Sequence, residues 1–178
     1  MYDILKLVGE KFRIQGELYS YETITVGNIN STYKVTYTQA DGGLKSFLFQ
    51  RVNTHVFKNP VEIMENIDRV TTHIREKYPD QTTLHFHHTD DGSNYYICGE
   101  DAFWRVINYI DSVTFSSSDD LGVIESAGFA FGQFQTQLSD FDAPMVNTYS
   151  IETTVAEKID AIHWYMLICP FKASISKH

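Results

Sequence analysis

Residues 47–74, FLFQRVNTHVFKNPVEIMENIDRVTTHI, pass from a strand into a helix in one run. Leu44–Arg51 carries the aromatic and apolar residues of a strand. Asn59 is a good N-cap, Pro60 suits a first helical position whose N–H has no partner to lose, and Glu62 sits at capping-box-like spacing. Ile63, Ile67, Val70 and Ile74 then recur at helical spacing, and Met64 widens that stripe. Pro79 disfavours helical geometry in the residue before it, so the helix is expected to stop near Tyr78.

Toward the N-terminus, Tyr2–Phe12 places Leu5, Val8 and Phe12 at helical spacing. Tyr19–Val26 and Thr32–Thr38 read as strands, the second with Tyr33, Val35 and Tyr37 on one face. Gly27–Ser31 is turn chemistry, and Asp41-Gly42-Gly43 is a hairpin signal. Toward the C-terminus, Thr83–Thr89 and Asn94–Cys98 flank Asp90-Asp91-Gly92-Ser93 and read as a hairpin, followed by a strand at Phe103–Ile110. Ser116–Asp119 is an N-cap cluster for a helix from Leu121 to about Ser139, and Asp140–Thr148 is linker-like around Pro144. The expected fold is therefore α+β: a mostly antiparallel sheet of five to six strands, one crossing helix and trailing helices.

The 178 residues carry a net charge of −9 and a pI of about 5.1. The basic residues are scattered among acids, which disfavours a phosphate backbone as partner, so no nucleic acid is expected. No run of apolar residues reaches membrane-spanning length, and Asp3, Lys6, Glu10 and Lys11 interrupt any leader-like start. These features lead to an expected cytoplasmic setting, no membrane association, and reduced thiols at Cys98 and Cys169.

The segment ITVGNINSTYKVTY (24–37) resembles the nucleotide loop of the aminoglycoside-phosphotransferase superfamily. Residues 47–74, WRVINYIDS (104–112) and AGFAFGQFQTQLSDFD (127–142) resemble more narrowly its N-acetylhexosamine 1-kinase-like branch. The layout of three strands, a helix and further strands is that of a kinase N-lobe. The resemblance implies a nucleotide-binding lobe over residues 1–112, a connecting helix over 113–143, and an extra helical tail over 144–178.

That family transfers phosphate from Mg-ATP to small molecules, often a sugar. The resemblance would fold Gly27, Asn28, Asn30, Ser31 and Thr32 over the ATP phosphates, although Gly and Asn residues alone would read as a plain turn. It gives Arg51, with Lys45 behind it, the basic role on the third strand, paired with Glu65 or Glu62 on the next helix. Asn108, Ile110 and Asp111 would belong to the adenine hinge. The ligands for Mg²⁺ and the catalytic H-x-D-x-x-x-x-N loop are expected in a following lobe, and nothing in the sequence matches that loop. His88-Thr89-Asp90 is a decoy, because Tyr95 stands where the motif needs Asn.

The functional expectation is thus a truncated sugar kinase that binds ATP, with an N-acetylhexosamine-like substrate only when a C-lobe is supplied. Self-association through an exposed lobe face is expected as well. The alternatives are a non-catalytic interaction module or a decayed gene product. YSIETTVAEKIDAI (149–162) resembles a helical stretch of abortive-infection nucleotidyltransferase-like toxins through Glu157-Lys158, but that family's strand-borne elements are absent. The stretch also reads as an amphipathic helix over Ile151–Ile168.

Several residues invite function and have plainer readings. His85, His87 and His88 are read as solvated strand histidines, and Arg105 as a structural ion-pair former inside an apolar strand. Ser116–Ser118 are read as cap and loop, and Cys98 as a small core residue.

Overall fold

A computed structural model describes residues 1–25, 29–80, 84–111 and 118–145. The chain forms two compact units, one of Met1–Asp68 with His85–Tyr109, the other of Arg69–Leu84 with the residues from Ile110 onward. The elements are α1 (Tyr2–Lys11), β1 (Glu17–Ile24), β2 (Ser31–Thr38), β3 (Leu44–Arg51), α2 (Pro60–Lys77), β4 (Tyr96–Cys98), β5 (Ala102–Asn108) and α3 (Leu121–Gln137). The fold is α+β, as expected.

The first unit is built on a five-stranded sheet in the order β1-β2-β3-β5-β4, antiparallel throughout. Strand alternation sorts its side chains onto two faces. Tyr33, Val35 and Tyr37 of β2, Phe47 and Phe49 of β3, and Trp104 and Val106 of β5 are buried together with Leu5, Val8 and Phe12 of α1. The β2–β3 turn closes as read: Gln39 N–H donates to Gly43 O at 2.8 Å, and Gly42 adopts φ +81°, which glycine takes without strain.

The expected hairpin of Thr83–Thr89 with Asn94–Cys98 is not formed; residue 83 itself lies outside the described set. Phe86 bridges Ile107, with His87 N–H donating to Val106 O and Asn108 N–H donating to His85 O. Further along, Tyr96 pairs with Trp104 and Cys98 with Ala102. The two segments therefore occupy successive positions along one edge of β5, and residues 88–95 loop out between them. One edge accepts one partner, so the pieces line up end to end instead of side by side. A tight turn within the excursion (Thr89 N–H to Ser93 O, Gly92 φ +83°) is what the Asp-Gly signal encoded.

α2 starts at Pro60 and ends at Lys77, matching its cap and proline signals. Met64 and Ile74 are almost fully buried. In the second unit, the later turns of α2 meet the chain after α3. His73 Nε2 lies 3.2 Å from Gln137 O and its ring lies edge-on to Phe141 at 5.2 Å. Lys77 pairs with Asp140, and Arg69 donates to Pro144 O. α3 is capped by Asp120, whose carboxylate accepts from Gly122 and Val123 N–H. The expected cap cluster falls short by one residue: Ser118 Oγ instead accepts from Asp120 N–H, and Ser116 and Ser117 lie outside the described residues. The tail expectations for 149–168, and Cys169, also lie outside them. Cys98 is a partly buried thiol packed against the core.

Tyr37 gives the core a pH signature. Its phenol is pushed up to about 12, first by burial and then by Glu10 and Tyr2. The native chain then holds this proton more tightly than the unfolded chain, whose tyrosines titrate near ~10. This contribution is complete below pH ~10 and is lost as pH rises through about 12. Ionisation of the unfolded chain's tyrosine across that window lowers stability by up to about 3 kcal/mol relative to neutral pH, where the phenol is protonated in both states and its hydroxyl adds nothing of its own. Alkaline unfolding curves of Tyr37→Phe should lack this part of the slope; an unchanged slope would show that Tyr37 titrates normally.

Candidate nucleotide-binding face

The sheet face opposite α1 carries a polar row across three strands. Thr32 pairs in register with Gln50, and Gln50 with Arg105. Gln50 Nε2 donates to Thr32 Oγ1 at 3.1 Å. Gln50 Oε1 accepts from Arg105 Nε at 2.9 Å and Nη2 at 2.8 Å. Arg105 is 1% exposed, with Nη1 at 3.7 Å from Met64 Sδ of α2 and the guanidinium 5.7 Å from the Phe86 ring centroid. Burial lowers its pKa to about 10, so it stays charged at neutral pH. Asn94 Nδ2 donates to Met64 O, which ties the 88–95 excursion to α2.

The next row, of Lys34, Leu48 and Ile107, is polar only at Lys34, and beyond it Thr36 pairs with Ser46. Lys34 Nζ sits 4.5 Å above the Tyr109 ring, and Thr36 Oγ1 meets Ser46 Oγ at 2.9 Å. Arg105 is sealed in, whereas Lys34 is half-buried and within reach of a ligand.

The residues expected at a nucleotide site are dispersed. Gly27 and Asn28 lie outside the described residues. Asn30 Oδ1 accepts from Asn53 N–H at 3.0 Å, which clamps the start of β2 to the loop after β3. Thr32 belongs to the polar row. Ser31 and Arg51 are register partners on the opposite side of the sheet, the side of Tyr33 and Phe49. Arg51 is half-exposed and its nearest acid is Asp101, at 3.9 Å, so it is not joined to Glu65 or Glu62. Glu65 is exposed on α2. Glu62 Oε2 is shielded from solvent without a hydrogen-bond partner, so Glu62 is the α2 acid with an unused acceptor. Asn108 Oδ1 lies 2.9 Å from His87 Nε2, and the Asn108 side chain is thereby engaged. Ile110 and Asp111 follow directly and fall in the second unit.

Sequence reasoning passed over Gln50 and Lys34. The signal was present: in β3, alternation puts Gln50, not Arg51, on the face where α2 rests. His85 is exposed, as expected, whereas His87 and His88 are less solvated. His87 is half-buried, its pKa lowered first by burial, and packs on Phe47 at 5.3 Å; His88 contacts Asp68 at 3.4 Å. Among the described residues no group of three or more His, Cys, Asp or Glu is placed to hold a metal ion. Among the same residues no helix is long and apolar enough to cross a membrane. No family model matches the chain.

Proposed function

We propose that the sheet unit binds a nucleoside triphosphate, ATP in the first instance, as the N-lobe of a kinase-like phosphotransferase. The observation that carries the reading is the polar face spanning Thr32, Lys34, Gln50 and Arg105 beneath α2. A buried guanidinium keeps a fixed positive field under this face, and Lys34 supplies a half-exposed ammonium at its edge. Both favour a polyanion in a chain whose net charge of −9 would otherwise repel one. The resemblance of residues 24–37 and 47–74 to the phosphotransferase superfamily points the same way. Magnesium would travel with the phosphates, its usual mode in such sites. Phosphoryl transfer to an N-acetylhexosamine-like sugar belongs to the proposal only with a catalytic H-x-D-x-x-x-x-N loop, which these 178 residues lack.

The test is titration of the full chain with Mg-ATP and with ATP alone, followed by amide chemical shifts. Saturable shifts at Thr32–Lys34 and Asn108 are expected. Lys34→Met should weaken binding by about tenfold or more, the worth of one charge-assisted contact. Wild-type affinity in Lys34→Met, or no saturable shift on this face, would overturn the reading.

A second reading, self-association as an interaction module, is favoured by α3. Leu121, Ile124 and Phe129 of that helix are 80%, 52% and 72% exposed. Sedimentation velocity over a concentration series separates this from a monomeric binder.

A further inference from the structure

At the end of the sheet where β2 begins and β3 ends lies a small cavity of about 150 Å³. Its lining is mostly polar: Ser31, Arg51, Asn53, Thr54, His55 and Asp101, with Ile29 and Val52 as the apolar part. The volume is below the ~300 Å³ at which pockets begin to hold drug-sized molecules, and suits one small polar group. We infer that this cavity is an oxyanion site, built for a single phosphate group and centred on Arg51.

Four observations carry it. First, Arg51 does not face α2. Strand alternation sends it to the same side as its register partner Ser31, away from the Thr32–Gln50–Arg105 row. The cavity therefore lies on the other side of the sheet from the face proposed for ATP, and Arg51→Met tests it separately from Lys34→Met. Second, the guanidinium is not consumed by a partner. Its nearest acid oxygen, on Asp101, is 3.9 Å away, beyond hydrogen-bonding distance, so its planar donors remain available. Third, the other linings match a tetrahedral oxyanion: the hydroxyls of Ser31 and Thr54 and the imidazole of His55 can all donate. Fourth, the loop is preorganised. Asn53 Oδ1 accepts from His55 N–H at 3.0 Å, Asn53 O accepts from Val56 and Phe57 N–H, and Asn30 Oδ1 accepts from Asn53 N–H at 3.0 Å. These bonds set the walls before any ligand arrives, which lowers the entropy cost of binding.

Asp101 supplies the diagnostic. A carboxylate near the guanidinium competes with an incoming anion. Converting it to the neutral amide should tighten phosphate binding, by roughly three- to fivefold for charges about 4 Å apart in a water-like dielectric. A purely structural ion pair, or a site for a cation, would respond in the opposite sense.

The experiment titrates inorganic phosphate into the full chain at low ionic strength and follows the amides of Ser31 and Asn53–His55, with sodium chloride at equal ionic strength as control. The expected result is a saturable shift specific to phosphate, lost in Arg51→Met and tightened in Asp101→Asn. Arg51 is half-exposed, so Arg51→Met should keep a dispersed spectrum, which shows the loss to be local. Addition of ATP to the phosphate-bound chain tells whether the group is free or carried on a nucleotide: displacement assigns it to a nucleotide, joint occupancy to free phosphate, and either supports the site. Non-saturable shifts, equal shifts with chloride, indifference to Arg51→Met, or weaker binding in Asp101→Asn would each overturn it.

Discussion

Arg105→Ala is expected to destabilise the sheet unit by about 3–5 kcal/mol. The substitution removes a side chain that is 1% exposed and has Met64 and Phe86 around its head. The cavity left by a large-to-Ala change in a packed interior accounts for about 2 kcal/mol or more. It also strips the half-buried Gln50 Oε1 of two donors, at 2.9 and 2.8 Å, and the orphaned acceptor costs up to about 1–3 kcal/mol. Arg105→Met keeps most of the volume, so it isolates the second part. Gln50→Ala acts from the other side, leaving the guanidinium without that acceptor. Because the two residues touch, their effects should not add, and a double-mutant cycle should return a coupling of about 1.5–3 kcal/mol. Urea unfolding followed by tryptophan fluorescence is the measurement, since Trp104 sits beside Arg105 in β5. A loss below 1 kcal/mol in Arg105→Ala would show that Gln50 and the guanidinium are solvated in solution. The polar row would then offer no fixed field to a nucleotide.

The parts of the fold that were legible in the sequence are those set by local chemistry. Asn59-Pro60 and Pro79 bracket α2 within a residue of its observed ends. The alternation Tyr33, Val35, Tyr37 named the buried face of β2 directly, and Asp41-Gly42-Gly43 closed the turn it encodes. The misreading lay between 83 and 98, where the Asp-Gly turn was taken for the tip of a hairpin. Its local geometry was right, but whether two flanking runs pair with each other or share one edge of a third strand depends on β5, a nonlocal partner that no window of sequence contains.

The same distinction explains the candidate site. Arg51 and Gln50 are adjacent in sequence and equally polar, and the pattern of a basic residue on the third strand drew attention to Arg51. Register decides otherwise: Gln50 lines up between Thr32 and Arg105, and Arg51 opens toward Ser31 and Asp101. Arg105, read as a structural ion-pair former, is structural in that its charge is buried, and its bidentate contact is with the Gln50 carboxamide. A carboxamide can accept from a guanidinium on one side and donate to Thr32 on the other, which a carboxylate cannot do. Gln50→Glu should keep the Arg105 end and reverse the Thr32 end, with the Thr32 hydroxyl turning from acceptor to donor.

The second large effect is expected in the core beneath α1. A Cβ built at Gly9 would lie 1.9 Å from Tyr37 Oη and 3.0 Å from its Cζ. Gly9 is thus the point at which α1 approaches β2 too closely for any side chain. Alanine is the better helix former by up to ~1 kcal/mol, so propensity alone predicts that Gly9→Ala stabilises. Overpacking of a buried contact typically costs 1–3 kcal/mol, and a 1.9 Å approach lies at the severe end. The clash should win, with a net loss of about 2 kcal/mol. Tyr37 Oη is itself buried without a hydrogen-bond partner. Removing it in Tyr37→Phe therefore deletes no contact of value and should be neutral or mildly stabilising. In the double variant the 1.9 Å conflict disappears and only the 3.0 Å approach of the ring carbon remains. Gly9→Ala should accordingly be far better tolerated on the Tyr37→Phe background, with more than half of the loss recovered. Chemical denaturation of the four proteins of this cycle checks it. Equal destabilisation by Gly9→Ala on both backgrounds would mean that the helix, not the tyrosine, gives way. The separation between α1 and β2 would then be set by Leu5, Val8 and Phe12 instead of by the glycine.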